Sequence, residues 1–143
     1  MGQKLCFEDV NVGDEMPSLV KEPITRTQLV RYAGASGDFN PLHFDDEFAR
    51  SAGMGGAIAH GMLIMGFAGQ AITQWFPRKY LRKFGARFIG VTGLGEQITI
   101  KGSVTQKGQE NGENIVAGTI TASAQDGSVK LSGEFKVALP NKV

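Results

Sequence analysis

Residues 36–43, SGDFNPLH, combine an aspartate and a histidine with an Asn-Pro pair between them. Asp38 and His43 are five positions apart, about 500° of rotation on an α-helix, so they cannot share one helical face. Pro41 also disfavours the helical conformation for Asn40, so the segment must bend, and a bend can bring both side chains together. A carboxylate and a neutral imidazole could then hold a water molecule and remove its proton, which is general acid–base chemistry. The alternative is that Asp38 and Asn40 form an Asx-type turn and His43 is a half-buried structural residue.

A second segment, residues 59–62 (AHGM), lies at the start of a long apolar run that predicts a buried helix. The first backbone N–H groups of a helix lack intrahelical acceptors and lie at the positive end of its dipole. Because Gly61 has no side chain, an acyl carbonyl could approach its N–H closely, as in an oxyanion hole. Alternatively, Gly61 only permits close packing. His60, the other histidine of the chain, is either a rival acid–base group or a hydrogen-bonded core residue.

Two clusters of charged residues have structural explanations, and one of them has a functional alternative. Residues 45–47 (DDE) are typical of an acidic first helical turn rather than of a metal site. The basic cluster consists of Arg78, Lys79, Arg82 and Lys83. It follows the apolar run, where cations complement a helix dipole, but it could also bind the phosphates of a carrier such as coenzyme A. With one cysteine, and with His43 and His60 far apart in sequence, we expect no metal site.

The longest element that could position these residues is the apolar run itself. Residues 57–76 are apolar on nearly every side, and Pro77 ends the run. A helix of this kind is either buried or membrane-spanning. His60 and Gln70 interrupt the run and amphipathic strands follow it, so the sequence predicts a buried helix.

Two short helices are predicted upstream, over residues 28–36 and 46–53. We expect Thr25 or Thr27 to cap the start of the first helix and Gly34 and Gly37 to end it. Asp45 should cap the start of the second helix, and Gly53 should lie just past its end.

From Lys83 onward, apolar and polar residues alternate, the pattern of strands with one buried face. The predicted strands are 83–91, 96–106, 113–125 and 128–139, and the predicted hairpin connections are 92–95, 107–114 and 125–128. Residues 19–26 add a further strand, which Pro23 places at an edge. The sequence therefore predicts an antiparallel sheet with one long helix available to cover its inner face, an α+β fold.

Composition excludes several classes of function. At 143 residues the chain has the usual length of one domain, and we expect residues 1–143 to form one. A net charge of +1 creates no field that would attract nucleic acid or an anionic membrane. Cys6 is the only cysteine, so no internal disulfide can form, and residues 1–16 contain no apolar signal-peptide core. These features fit a cytoplasmic protein.

Residues 32–63, YAGASGDFNPLHFDDEFARSAGMGGAIAHGML, resemble the hydratase motif of the MaoC-like (R)-specific enoyl-CoA hydratases and dehydratases. The helix and four strands that follow are similar to the rest of that family's hot-dog fold. The resemblance implies a single hot-dog domain, in which a curved antiparallel β-sheet wraps around a long central helix. It also implies dimerisation edge to edge, with two sites at the interface.

The resemblance assigns roles to the residues of both segments. Asp38 and His43 would be the catalytic dyad, and the N–H of Gly61 would bind the thioester carbonyl. Asn40 would orient the loop or the water. The remaining residues expected to contact substrate are Ala59, His60 and Met62.

The implied reaction is the reversible hydration of trans-2-enoyl thioesters to (R)-3-hydroxyacyl thioesters of coenzyme A or acyl carrier protein. We expect no cofactor, and a homodimer or a heterodimer with a second hot-dog subunit. Three alternatives remain open: a dehydratase subunit specific for acyl carrier protein, an acyl-CoA thioesterase on the same fold, and a non-catalytic acyl-thioester binding module.

Overall fold

Residues 2–143, the part of the chain that the computed structural model describes, form a five-stranded antiparallel sheet and three α-helices. The helices are α1 (Arg26–Ser36), α2 (Asp46–Ser51) and α3 (Gly61–Trp75), and the strands are β1 (Leu19–Val20), β2 (Leu81–Phe88), β3 (Thr99–Glu110), β4 (Glu113–Ser123) and β5 (Val129–Ala138). Short 3₁₀ turns lie at Phe7–Asp9, Pro41–His43 and Arg78–Tyr80. The predicted α+β class, an antiparallel sheet with a long apolar helix, is confirmed.

The strand order in the sheet is β1-β3-β4-β5-β2. The turn between β3 and β4 places Asn111 and Gly112 at φ 52° and 79°, the left-handed pair that matches the twist of a tight hairpin. Gly127, at φ 86°, turns β4 into β5. The hairpins predicted at 107–114 and 125–128 are therefore confirmed.

The hairpin predicted at 92–95 is wrong. Strand β2 pairs with β5 and not with β3, because β5 and β4 lie between β2 and β3 in the sheet. The connection between β2 and β3 instead crosses toward the helices, because Gly93 forms a bridge with Ile58 and the Gly95 N–H donates to the carbonyl of Ile24. This connection becomes a neighbour of the segment that precedes α3.

Helix α3 packs its apolar side against the inner face of the sheet. Its buried residues are Leu63, Ile64, Phe67, Ala68, Ala71, Ile72 and Trp75. They join Phe135 and Ile120 of the sheet in one core. A stripe of α3 residues, spaced four positions apart, is exposed to solvent: Met62, Gly66, Gln70 and Gln74. The helix is thus buried along most of its circumference but not all of it. Within residues 2–143, no helix combines the length and apolar character needed to cross a membrane.

The two short helices are capped mostly as predicted. The Thr25 hydroxyl accepts the Gln28 N–H at the start of α1, and Gly37 ends α1 at φ 74°, whereas Gly34 lies inside the helix. The Asp45 carboxylate accepts the Phe48 N–H and caps α2. These caps set the bounds of the two helices that flank residues 36–43.

Asp46, the first residue of α2, ties this helix to the chain that leads into α3. Its carboxylate accepts hydrogen bonds from the Ala57 N–H at 2.8 Å and from the Arg26 guanidinium at 2.7 Å. These two bonds lower the pKa of Asp46. The carboxylate thereby connects α1, α2 and the segment that carries Ala59 and His60.

We expect Gly118→Ala to lower the free energy of unfolding by about 1–3 kcal/mol, the usual cost of overpacking a core. A Cβ at this position of β4 would overlap the Ser103 carbonyl oxygen and lie 2.5 Å from Cζ of Phe135. Gly108→Ala in β3 is the matched control, because a Cβ there meets no atom within 4 Å. Urea denaturation of both variants measures the difference. Equal stabilities would contradict the proposed close approach.

Candidate active site

Two Asx-type hydrogen bonds build the loop that carries Asp38. Its Oδ1 accepts the Asn40 N–H at 3.2 Å, and the Asn40 Oδ1 accepts the Leu42 N–H at 3.0 Å. Asn40 thereby caps the 3₁₀ turn Pro41–His43. The turn brings Asp38 Oδ2 to 3.5 Å from Nε2 of His43. Asp38 therefore fits both predictions for this motif, the Asx-type turn and the Asp–His pair. One carboxylate oxygen forms the turn, and the other faces the imidazole.

His43 is oriented through its second ring nitrogen. Nδ1 lies 2.8 Å from the carbonyl oxygen of Ile58. A carbonyl can only accept, so Nδ1 carries the proton, and in the neutral ring Nε2 presents its lone pair to Asp38. The His43 side chain is 11% exposed and that of Asp38 is 52% exposed. The pair therefore consists of a largely buried imidazole, fixed by its hydrogen bond to Ile58, and a carboxylate that solvent can reach.

His60 lies directly behind this pair. Its ring stacks on that of His43, with centroids 3.7 Å apart and planes at 21°, and meets the edge of Tyr32 at 4.7 Å. Its Nε2–H donates to the backbone carbonyl of Asp38 at 3.2 Å, while Nδ1 is buried without a hydrogen-bond partner in the described part of the chain. Burial lowers the pKa of His60, which favours the neutral ring. His60 thus supports the loop and His43 from the protein interior.

The expectation that separation in sequence keeps the two histidines apart is wrong. Donor atoms of Asp38, His43 and His60 all lie within 4.8 Å of one another. A metal ion, however, binds an imidazole in the plane of its ring at about 2 Å. Because the two rings are stacked, an ion in the plane of one lies outside the plane of the other. The cluster is therefore better suited to proton transfer than to metal binding.

Helix α3 begins beside this cluster, at Gly61. His60 is the N-cap residue with extended backbone, and the Gly61 N–H donates to no acceptor within residues 2–143. A Cβ on Gly61 would lie 3.2 Å from the ring of Phe88, so the glycine keeps space between the helix start and β2. Gly61 is exposed, and among residues 2–143 its amide is an unpaired donor at the positive end of a helix.

The other predicted substrate contacts differ in accessibility. Met62 is exposed next to Gly61, whereas Ala59 is buried and its N–H donates to the Thr92 carbonyl at 2.7 Å. The basic cluster lies beyond the opposite end of α3, and the 15 residues of this helix span about 22 Å. Within it, Arg82 forms an ion pair with Glu113 at 2.7 Å. The structure does not bring this cluster to the Asp38–His43 pair.

Sequence reasoning missed two groups that hold the candidate site. The Ile58 carbonyl sets the tautomer of His43, and the Tyr32 ring packs against His60. A backbone carbonyl leaves no signal in residue types, so Ile58 could not be found in this way. Tyr32 lies within the motif, but nothing in its spacing indicates a histidine 28 positions later.

Known proteins resemble this chain in sequence over most of its length. It is 35% identical over 117 residues to the enoyl-CoA hydratase ChsH3 of Mycobacterium tuberculosis, which covers 80% of this chain and 38% of that protein. The chain thus spans well under half the length of that relative. It is 28% identical over 145 residues to the 3-hydroxybutyryl-CoA dehydratase of Methylorubrum extorquens, covering 96% of this chain and 86% of that protein.

Solved structures support the same relationship. The unliganded R-hydratase PhaJ1 of Pseudomonas aeruginosa superimposes with a TM-score of 0.84 at 25% identity, covering 99% of this chain and 89% of the other. The (R)-hydratase of Aeromonas caviae involved in PHA biosynthesis gives a TM-score of 0.81 at 27% identity, covering 93% and 99%. The fold is therefore the hot-dog fold that the sequence predicts. Residues 9–128 match the family described as MaoC like domain, and the chain belongs to this family of hydratases and dehydratases.

Proposed function

We propose that this protein catalyses the reversible hydration of trans-2-enoyl thioesters to (R)-3-hydroxyacyl thioesters. The observation that carries the proposal is the 3.5 Å distance between Asp38 Oδ2 and His43 Nε2, two hydrogen-bond acceptors that face each other. Gly61, whose N–H has no acceptor within residues 2–143, directly follows His60, the residue that stacks on His43. Two acceptors can share a water molecule that donates to both. The family supports the hydratase and dehydratase class, and two relatives named as R-hydratases favour the R configuration.

In the proposed reaction the Gly61 N–H binds the thioester carbonyl oxygen. This donor stabilises the enolate charge that develops on that oxygen when a nucleophile adds to C3. The start of α3 contributes its positive dipole end at the same place. Met62 and Ala59 would border the bound thioester, and Asn40 would hold the loop that carries Asp38.

Asp38 and His43 would activate the water that attacks C3. The water O–H bond breaks as its oxygen bonds C3, and Nε2 of His43 or the Asp38 carboxylate takes the proton. The dyad then delivers a proton to C2 of the enolate, which completes the hydration. The reverse sequence dehydrates a 3-hydroxyacyl thioester.

We also propose that residues 1–143 act as one catalytic domain that forms a homodimer through the edge strand β2. Strand β2 is the last strand of the sheet, so its outer edge is unpaired within the described chain. Phe88 and Ile89 are each at least half exposed, and Phe88 lies beside Gly61. A second copy on this edge would cover apolar surface and close one side of the site.

Sedimentation equilibrium tests this arrangement. We expect the wild type to be a dimer and Ile89→Lys to shift it toward monomer, because a charge would be buried at the interface. The control is Val30→Lys on α1, where the native side chain is equally exposed, at 55% against 56%. A monomeric wild type would contradict the homodimer and direct the search to a second hot-dog subunit.

We expect Asp38→Asn to lower turnover about 10²–10⁴-fold, the usual contribution of general acid–base catalysis, while the fold stays intact. The assay follows loss of the enoyl-thioester absorbance of crotonyl-CoA while a thiol reagent reports free coenzyme A. The control is Asp14→Asn, which keeps an oxygen acceptor for the Asn11 N–H in a loop away from the candidate site.

Each outcome of that assay has a distinct meaning. Absorbance loss without thiol release supports a hydratase, and thiol release would identify a thioesterase instead. Full activity of Asp38→Asn would contradict the proposed catalytic role of the Asp38–His43 dyad. If the wild type turns over no coenzyme A substrate, thioesters of acyl carrier protein are the next substrates to test.

We expect Gly61→Pro to turn over about 10²–10³-fold more slowly than Gly61→Ala, the cost of one oxyanion-hole donor. Proline is well tolerated at the first position of a helix, and the extended backbone of His60 is compatible with a following proline. Both variants add a Cβ that must displace the half-exposed Phe88 ring, but only proline removes the N–H. Steady-state kinetics compares them. Equal turnover numbers would contradict a role for this amide.

A further inference from the structure

An ion pair joins Glu96, on the connection between β2 and β3, to Lys130 of β5. Lys130 Nζ lies 3.1 Å from Glu96 Oε1, and the side chains are only 9% and 24% exposed. Lys130 Nζ also donates to the Val91 carbonyl at 2.7 Å. Buried charges are costly unless they are paired and hydrogen-bonded. Neither residue belongs to the candidate site or to the motif that predicts it.

The second oxygen of Glu96 starts a series of hydrogen bonds. Oε2 accepts the Gly93 N–H at 2.6 Å. The same peptide group carries the Thr92 carbonyl, which accepts the Ala59 N–H at 2.7 Å. The next peptide group carries the Ile58 carbonyl, which accepts Nδ1–H of His43 at 2.8 Å. Two peptide groups therefore connect the Glu96 carboxylate to the imidazole that faces Asp38.

The geometry of the peptide bond makes this series directional. In a planar trans peptide the N–H and the C=O point in opposite directions. Holding the Gly93 N–H therefore aims the Thr92 carbonyl at Ala59. Holding the Ala59 N–H in turn aims the Ile58 carbonyl at His43. Hydrogen bonds in series also polarise one another, so the charge of Glu96 makes the Ile58 oxygen a stronger acceptor.

We propose that Glu96, held in place by Lys130, is a positioning residue that fixes His43 in the Nδ1–H tautomer through two intervening peptide groups. His43 then keeps Nε2 free for the water beside Asp38. The inference rests on the proposed function for its effect on catalysis, but its effect on the tautomer can be measured without any substrate. Lys130 pairs with the other oxygen of Glu96 and so holds the carboxylate in place.

The first test is the tautomeric state of the histidines, read from long-range ¹H–¹⁵N correlation spectra. The chain contains only two histidines, and a His43→Gln variant assigns them. In the wild type we expect Nδ1–H for His43 and Nε2–H for His60, because each of these nitrogens faces a carbonyl. A wild-type His43 in the Nε2–H form would overturn the proposal.

Two double variants then test Glu96. Both Glu96→Ala/Lys130→Met and Glu96→Gln/Lys130→Met remove the two charges together and leave no unpaired buried ion. Only the glutamine variant keeps an oxygen acceptor for the Gly93 N–H. We expect a mixture of His43 tautomers in the alanine variant, with kcat lowered about 10-fold, the lower end of the effect for partners that orient metal-bound histidines. We expect KM of the alanine variant to change little. We expect the glutamine variant to keep most of the wild-type kcat.

A merely structural role predicts a different pattern. If Glu96 and Lys130 only stabilise the fold, the folded alanine variant keeps the Nδ1–H tautomer and its kcat, and the proposal is wrong. If the double variants do not fold, Glu96→Asp replaces them, since it retains both charges but withdraws the carboxylate from Gly93. An Nδ1–H tautomer and kcat unchanged in that variant would also overturn the proposal. A tautomer change in a protein without hydratase activity would support the positioning role and contradict the proposed function.

Discussion

The hydrogen bond from Nδ1 of His43 to the carbonyl of Ile58 determines which chemistry the candidate site can perform. With the proton on Nδ1, the lone pair of Nε2 faces Asp38, and one water molecule can donate to both acceptors. The opposite tautomer would place an N–H there and form a direct hydrogen bond to the carboxylate. The rest of the fold can be understood as support for the peptide group that carries this carbonyl.

Several parts of the chain position the peptide group that carries the Ile58 carbonyl. The segment before α3 is held in place because Asp46 accepts the Ala57 N–H and the Thr92 carbonyl accepts the Ala59 N–H. Helix α3 begins directly afterwards, so its free amide at Gly61 lies close to the imidazoles. The crossing connection after β2 is therefore part of the site's framework and not a surface turn. Its route carries the chain from β2, which pairs with β5 at the sheet edge, to β3, the third strand from β2.

Local patterns predicted most of the elements because local physics decides them. Alternation specified the strands, apolar residues and Pro77 bounded α3, and Asp45 capped α2. The motif at residues 36–43 also predicted its own bend, since Asn40 and Pro41 allow few other conformations. The prediction failed at residues 92–95, where glycines are equally compatible with a hairpin and with a crossing connection. Long-range pairing with Ile58 made that choice, and residue types do not encode it.

The sequence by itself determined which groups could act, namely the carboxylate of Asp38, the imidazole of His43 and the side-chain-free amide of Gly61. Their residue types and short spacing depend on local backbone rules, which operate over a few positions. The tertiary structure alone decided the tautomer of His43, the stacking of His60 on it and the link from Glu96. These depend on backbone carbonyls and on contacts between distant segments. A hydrogen bond to a peptide group is available at nearly every residue, so only the folded chain specifies which one is used.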